Sequence, residues 1–167
     1  VNFVRSDGVD DTLVASGLTA GAAKTLFAVC KKNSAASVNY QVAVGFGLSA
    51  TLYAKTVDGG ERQQWRWVND QAGGKVQLGG ACTDLTVLAF VFTDAATVTC
   101  YRDGSLAASF DPNDAYSIST WLALGSRGDG SSFFDGDFAE IILYNATLSA
   151  ADRAKVEAYL AGRWTNP

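Results

Sequence analysis

Histidine is absent from this chain of 167 residues. Its absence removes the commonest general base of enzymes and the commonest metal ligand of proteins, so the ordinary serine and cysteine triads are excluded. Cysteine is scarce as well, because Cys30, Cys82 and Cys100 are far apart and form neither a CxxC pair nor a zinc-binding spacing. Cys30 and Cys100 fall in predicted strands, and we favour free thiols packed in the core. The alternative is one disulfide that leaves an odd thiol.

The chain has no excess of positive charge and no long apolar run. Thirteen basic residues stand against 17 acidic ones, for a formal net charge of −4. Without a basic field, binding of nucleic acid by phosphate neutralisation is not expected. No apolar run reaches the roughly 18 residues of a membrane-spanning helix. The length and the 48% of apolar residues predict one domain over 1–167 with a core of its own. No signal peptide is visible after Val1, so we expect a mature form or an excised domain.

Short strand patterns dominate the chain, separated by clusters of Gly, Asp, Asn and Ser. The segment 38–44 alternates apolar and polar residues, which predicts a half-exposed antiparallel strand. The segment 85–92 is almost continuously apolar, which predicts a strand in the core. Asp103 and Gly104 lie between two strand patterns and predict a tight hairpin. The expected fold class is therefore all-β, an antiparallel sandwich of two sheets.

One helix is predicted at the C-terminus, over about 149–162. Ser149 with Asp152 three residues later is a variant of the capping box, and Gly162 is typical of a helix end. The residues that we expect to face inward are Val156, Tyr159, Leu160 and Trp164. Those that lie off this stripe and should be solvated are Arg153, Lys155 and Glu157.

The strand pattern before this helix, 138–144, contains no breaker. Both of its faces are mostly apolar, which predicts a central strand covered on each side. Simple alternation places Ala139, Ile141 and Leu143 on one face. Glu140 is a carboxylate in this apolar strand, so it must be paired or exposed, and we expect Arg127 as its partner.

Both ends of the chain resemble a known family. The segments G-D-F-A-E-I-I-L-Y-N, L-S-A-A-D-R and E-A-Y-L-A-G-R-W are similar to the C-terminal signature of laminin-G-like jelly rolls in the concanavalin A-like lectin/glucanase superfamily. The N-terminal segment F-V-R-S-D-G-V-D-D-T-L-V-A-S resembles the matching first-strand motif. The resemblance implies a jelly-roll sandwich, in a superfamily that includes lectins, hydrolases and structural modules.

Hydrolases of this superfamily carry an E-x-D-x-x-E strand, and glycoside hydrolysis needs two carboxyl groups flanking the scissile bond. The chain has three glutamates and no acidic pair at that spacing in a predicted strand. Asp135 and Asp137 are two residues apart, but we expect them in a turn before the last strand. Catalysis is therefore not expected.

Sugar rings stack on aromatic side chains while polar neighbours bind their hydroxyl groups. The predicted strand 62–68 offers both kinds of group. The candidate ligand-binding residues are Arg62, Trp65, Arg66, Trp67, Asn69, Asp70 and Tyr101. The tryptophans and the arginines occupy opposite faces of the strand, and the alternative is that Trp65 and Trp67 belong to the core.

Calcium sites need six to eight oxygen ligands, often from loop carboxylates. Two acidic loops are candidates, with Asp7, Asp10 and Asp11 near the start and Asp129 near the end. The alternative is that these aspartates serve only to form turns, as Asp-Gly sequences commonly do. Calcium is the one cofactor considered.

The function expected from these observations is a non-catalytic, lectin-like carbohydrate-binding module. Its partner would be a glycan or a host surface receptor, outside the cell or on the surface of a phage virion. The alternative is a structural decoration or assembly domain, which would contact other virion subunits or further copies of itself.

Overall fold

Two six-stranded antiparallel sheets form the body of the molecule. The computed structural model describes residues 3–18, 24–33, 41–46, 50–56, 63–69, 74–93, 97–110, 121–127 and 129–165, with only the backbone described between 50 and 77 and at 80, 81 and 110. The strands are β1 (Val4–Asp7), β2 (Leu13–Ser16), β3 (Lys24–Lys32), β4 (Gln41–Phe46), β5 (Ala50–Thr56), β6 (Gln63–Asn69), β7 (Gly74–Ala81), β8 (Thr86–Phe92), β9 (Val98–Arg102), β10 (Ser105–Phe110), β11 (Trp121–Leu124) and β12 (Asp135–Tyr144). The first sheet has the order β1-β12-β3-β8-β9-β10 and the second the order β2-β11-β4-β5-β6-β7. With the helix α1 (Ala150–Leu160) at the C-terminus, the predicted fold class is confirmed.

The first sheet is covered on both faces, which explains its apolar central strands. On its inner face, Phe90 and Phe92 of β8 pack against the second sheet, where Phe46 meets the ring of Phe92 edge-on at 5.7 Å. On its outer face, Phe27 and Val87 pack under Leu160 of α1. The predicted core strand 85–92 is confirmed as β8, which spans Thr86–Phe92 and is buried at every residue. Leu85 lies just before the strand and is partly buried.

All three cysteines are free and buried, which confirms the core-thiol interpretation. Burial raises the pKa of the Cys82 thiol to about 11. Burial also raises the pKa of Cys30 and of Cys100. Thiols held in this way behave as small apolar side chains and not as nucleophiles.

Strand β4 corrects the expectation of a half-exposed strand, because every residue from Gln41 to Phe46 is buried. It pairs with β11 on one side and β5 on the other. The segment after β11 extends this ladder, where Val42 N–H donates to the Ser132 carbonyl at 2.8 Å and Gly125 N–H donates to that of Ala43 at 2.9 Å. Residues 38–40 of the predicted strand lie outside the described residues.

Strand β12 begins earlier than expected and contains a bulge. Asp135 and Asp137 belong to the strand and pair with Asp7 and Arg5 of β1, so their placement in a turn was wrong. The bulge lies between Phe138 and Glu140 opposite β3. It breaks the simple alternation, because Phe138 joins the core between the sheets while Ala139 packs on the helix side. A β-bulge opposes two residues to one and so rotates the side chains that follow it.

The helix begins where its cap predicts. Ser149 Oγ accepts a hydrogen bond from Asp152 N–H at 3.1 Å and donates to Asp152 Oδ2 at 2.7 Å. The helical path does not end at Gly162, as predicted, but continues through a wider π-helical turn, Ala161–Thr165. This turn brings the Trp164 indole N–H to 2.7 Å from Glu140 Oε2.

Three helix residues were predicted on the wrong face, since Tyr159 is exposed and the side chains of Arg153 and Glu157 are only 12% and 8% exposed. Tyr159 is 47% exposed, while Val156 and Leu160 face inward as expected. Glu157 is buried instead of solvated, because Arg153 donates to both of its carboxylate oxygens at 2.7 Å. An ion pair with both charges compensated can be buried where a single charge cannot.

Candidate functional site

The strand that carries most of the predicted ligand-binding residues lies inside the second sheet. Strand β6 pairs with β5 without a register shift, whereas its pairing with β7 shifts on both sides of Trp65. The backbone places residues 65–67 on an unbroken ladder with β5. The side-chain prediction for Trp65, Arg66, Trp67 and Asn69 lies outside the described residues, as do Arg62 and Asp70 altogether.

The structure does not bring Tyr101 together with β6. Tyr101 lies on β9 of the first sheet and belongs to the apolar cluster beneath α1. The guanidinium carbon of Arg153 lies 3.4 Å from the centroid of its ring, a cation–π contact. The ring of Tyr101 therefore helps to hold α1 against the first sheet.

Arg153 also forms an ion pair with the carboxylate of Glu157, one turn further along the helix. Burial raises its pKa, and the charge of Arg153 opposes that rise. Because Arg153 bridges Tyr101 and Glu157, these three side chains act as one unit that fixes the helix to β9. The sequence offers one signal for this group of three, the spacing of four residues between Arg153 and Glu157, which suits a helical ion pair. It offers none for the contact with Tyr101.

The first acidic loop forms a compact group. Single carboxylate oxygens of Asp7, Asp10 and Asp11 all lie within 4.8 Å of one another, and all three residues are exposed. The loop is also tied internally, since Asp11 Oδ2 accepts from Asp7 N–H at 2.9 Å and Asp7 Oδ1 accepts from Val9 N–H at 2.8 Å. The structure thus brings together three of the four residues predicted to bind metal. The cation site and the turn that only shapes the loop both stay predictions.

Asp129 does not belong to that group. It accepts from the N–H of Ser131 at 3.1 Å and lies 3.5 Å from Arg127 Nε in a turn of its own. Arg127 thus lies beside Asp129, and its expected pairing with Glu140 was wrong.

Glu140 is held by residues of the C-terminal segment instead. It accepts from Trp164 Nε1 at 2.7 Å and from the Tyr159 hydroxyl at 3.3 Å, and Arg163 Nε lies 3.7 Å away. Phe3 covers the other part of the indole, with ring centroids 5.8 Å apart. The carboxylate ties β12 to the end of the helix, which is the structural role that an acid in this strand requires.

Three side-chain hydrogen bonds hold the carboxylate of Asp137 in the first sheet. Arg5 donates to both of its oxygens, at 2.8 and 3.1 Å, and Asn33 Nδ2 donates at 3.1 Å. The Arg5 guanidinium keeps the pKa of Asp137 below its ordinary value. A carboxyl group held ionised in this way does not serve as a general acid.

A crevice opens between the sheets at the edge where β1 and β2 lie. Two adjoining cavities of about 120 and 110 Å³ share four apolar wall residues, Val4, Leu13, Leu124 and Phe138. Ser6 lies in the wall of the larger one. We call this feature the edge crevice. Sequence reasoning missed it, because no local pattern reports on the gap between two edge strands.

Comparison with known proteins agrees with this architecture. The family model described as the concanavalin A-like lectin/glucanases superfamily, of laminin-G type, matches residues 14–152. The chain belongs to this superfamily, which confirms the family that its terminal segments resemble. None of the curated proteins compared with the chain matches it significantly.

Solved structures give the same fold. Domain 4 of AbnA, a GH43 extracellular arabinanase from Geobacillus stearothermophilus solved in complex with arabinotriose, has a TM-score of 0.60 and 14% identity, over 94% of this chain and 82% of that one. Trypanosoma rangeli sialidase in complex with the inhibitor DANA has a TM-score of 0.67 and 16% identity, over 93% and 27%. A putative carbohydrate binding protein from Bacteroides ovatus has a TM-score of 0.63 and 11% identity, over 90% and 46%.

The chain thus spans most of the arabinanase domain but only 27% and 46% of the other two chains. At these identities the likeness shows the fold alone. In the part of the chain that the structure describes, no helix is long and apolar enough to cross a membrane.

Proposed function

We propose that this chain is a non-catalytic carbohydrate-binding module. The observation that carries the proposal is the near-complete correspondence with a separate arabinanase domain that was solved with arabinotriose bound. That domain is similar in size as well as in fold, so the comparison is between whole units. The described carboxylates offer a second line of support.

Glycoside hydrolysis requires a protonated carboxyl group and a second carboxylate across the scissile bond. Three of the described acids of the strands and helix are committed to structural contacts. Arg5 keeps Asp137 ionised, Trp164 donates a hydrogen bond to Glu140, and Arg153 forms an ion pair with Glu157. These side chains stabilise the fold, and this arrangement favours recognition of a sugar over its cleavage.

We place the primary sugar contacts on β6 and the loop that follows it. Arg66 and its neighbours Trp65 and Trp67 combine hydrogen-bond donors with aromatic rings, the two kinds of group that sugar sites use. The partner in this proposal is a glycan on an extracellular surface. A location on the surface of a phage virion is a further hypothesis.

A glycan array followed by calorimetry tests the proposal. We expect binding to a limited set of glycans, and a loss of at least about tenfold in affinity for Arg66→Ala, because a charged hydrogen bond contributes about 1.5–3 kcal/mol. Arg163→Ala is the matched control: Arg163 is an exposed arginine near the end of the helix, and its removal should leave binding unchanged. A silent array with folded protein contradicts the proposal.

The structural alternative makes the opposite prediction. An assembly or decoration domain should show no glycan binding and should form a stable oligomer in solution. Light scattering on the same sample distinguishes the two, because the carbohydrate-binding proposal does not require association.

A further inference from the structure

The corner between β12 and α1 carries the triplet Asn145, Ala146 and Thr147, which has the form N-x-T. No other asparagine of the sequence is followed, two positions later, by serine or threonine. An N-x-S/T triplet without proline in the middle is the acceptor sequence for an N-linked glycan. The acceptor needs a surface loop, because the attached glycan is bulky and soluble. The triplet therefore predicts a modification site that only the structure can test for exposure.

The structure places this triplet where the motif requires it. It follows Tyr144, the last residue of β12, and lies in an exposed bend before α1 begins at Ala150. Asn145, Ala146 and Thr147 are each exposed. A group attached here projects into solvent and displaces nothing from the core between the sheets.

The hydrogen bonding of Asn145 leaves its amide nitrogen available. Lys24 Nζ donates to Asn145 Oδ1 at 2.6 Å. A lysine ammonium group has donors and no acceptor, so the amide oxygen must face Lys24 and the nitrogen must point away from it. Within the described chain, Nδ2 of Asn145 has no hydrogen-bond partner. A glycan on Nδ2 is therefore compatible with the contact between Oδ1 and Lys24.

The hydroxyl of Thr147 has a role in the folded protein as well. Its Oγ1 donates to the carbonyl of Phe92 at 2.6 Å. N-linked transfer takes place on the extended nascent chain, before this hydrogen bond forms, so the acceptor sequence and the folded contact use the same hydroxyl at different times.

We propose that Asn145 accepts an N-linked glycan when this chain is exported through a compartment that contains an oligosaccharyltransferase. The new bond joins Nδ2 to the anomeric carbon of the sugar. The bond between that carbon and the pyrophosphate of an isoprenoid-linked oligosaccharide donor breaks, the pyrophosphate leaves, and Nδ2 loses one proton. The inference goes beyond the proposed function, and the result of the glycan array does not bear on it. It does exclude the phage hypothesis, since a chain made in a bacterial cytoplasm would stay unmodified.

Secretion of the full chain from eukaryotic cells, behind a cleavable signal peptide, tests the inference. We expect intact-mass spectrometry to show the added mass of an N-linked glycan, and peptide-N-glycosidase to remove it. The enzyme leaves an aspartate at the former attachment site, and peptide mapping should place it at 145. Asn33 is the internal control, because it is an exposed asparagine without the acceptor sequence and should stay unmodified.

Two pairs of variants sharpen the test. Asn145→Gln and Thr147→Val should both lose the glycan, whereas Thr147→Ser keeps a hydroxyl and should retain it. Asn145→Gln leaves the bond from Thr147 to Phe92 in place, so a folding defect of Thr147→Val does not decide the outcome. A secreted wild-type chain without a glycan at Asn145, or a glycan that persists in Asn145→Gln, overturns the inference.

The stability of the modified chain tests the orientation of the amide. The glycosylated protein should melt no lower than the unmodified protein from bacterial cytoplasm, because the contact between Lys24 and Oδ1 is kept. A lower melting temperature of the glycosylated form would contradict the placement of Nδ2 towards solvent.

Discussion

Replacement of Leu160 by alanine tests how the helix is held on the sandwich. Leu160 is 0% exposed and packs on Phe27, Val29 and Val87 of the first sheet. A helix of this length is marginal by itself in water, so the docked face must supply its stability. Removing three carbon groups loses about 2.4 kcal/mol of transfer free energy at about 0.8 kcal/mol per group. The cavity left behind adds to this, and the expected total is about 2–5 kcal/mol.

Urea unfolding followed by circular dichroism measures this loss. We expect a lower midpoint with little change in slope, since the surface exposed on unfolding hardly changes. Lys155→Ala on the exposed side of the same helix is the control and should shift stability by less than about 0.5 kcal/mol. An unchanged midpoint for Leu160→Ala would refute the claim that the helix is held by this face.

Four further predictions follow from the described contacts. Asp137→Asn should cost about 1.5–3 kcal/mol at neutral pH through lost charged hydrogen bonds; because folding lowers the pKa of Asp137, its contribution is present above the ordinary aspartate pKa of about 3.9 and is lost as the pH falls further. The stability difference between wild type and Asp137→Asn should therefore shrink in acid, and a difference independent of pH would contradict the assignment. Trp164→Phe keeps an aromatic ring but removes the donor to Glu140, and urea unfolding should show a loss of about 1–3 kcal/mol. The three thiols should resist a thiol reagent in the native state and all react after unfolding, since each is buried; rapid labelling of the native protein would show the core to be open. The turn interpretation of the Asp7, Asp10 and Asp11 group predicts that calcium leaves the melting temperature unmoved, and a rise on titration would establish the cation site instead.

The fold was predictable from sequence because its signals are local. Asp103 and Gly104 have φ values of 48° and 79°, and only residues that tolerate the left-handed region form this type of hairpin turn. The continuous apolar run of β8 reflects cover on both faces of the first sheet. The helix cap at Ser149 likewise depends on residues within one turn of the chain.

The errors arose where distant contacts decide the outcome. The bulge in β12 depends on its pairing with β3, so alternation along 138–144 placed Ala139 on the wrong face. Glu157 is buried because both of its oxygens accept from Arg153, and Arg153 in turn lies over the ring of Tyr101, a contact across the fold. The partner of Glu140 is Trp164, 24 residues away, and no spacing rule links a strand residue to a ring at that distance.

The candidate site was less predictable still. The group of carboxylates in the first acidic loop was predictable, because its three aspartates are close in sequence and also lie close together in space. The edge crevice could not, since Ser6 and Leu124 approach each other only when the two sheets are assembled. Sequence reasoning names groups that suit a sugar, but it does not find a cavity.

The central claim is that this domain holds a saccharide and leaves it intact. The most direct measurement tests both parts of that claim. Calorimetry quantifies binding of the best ligand from a glycan array. The same ligand is then incubated with excess protein, and its mass after recovery is measured by mass spectrometry. We predict saturable binding with every glycosidic bond preserved. Cleaved ligand, or no heat of binding from any glycan with the folded protein, would contradict the account.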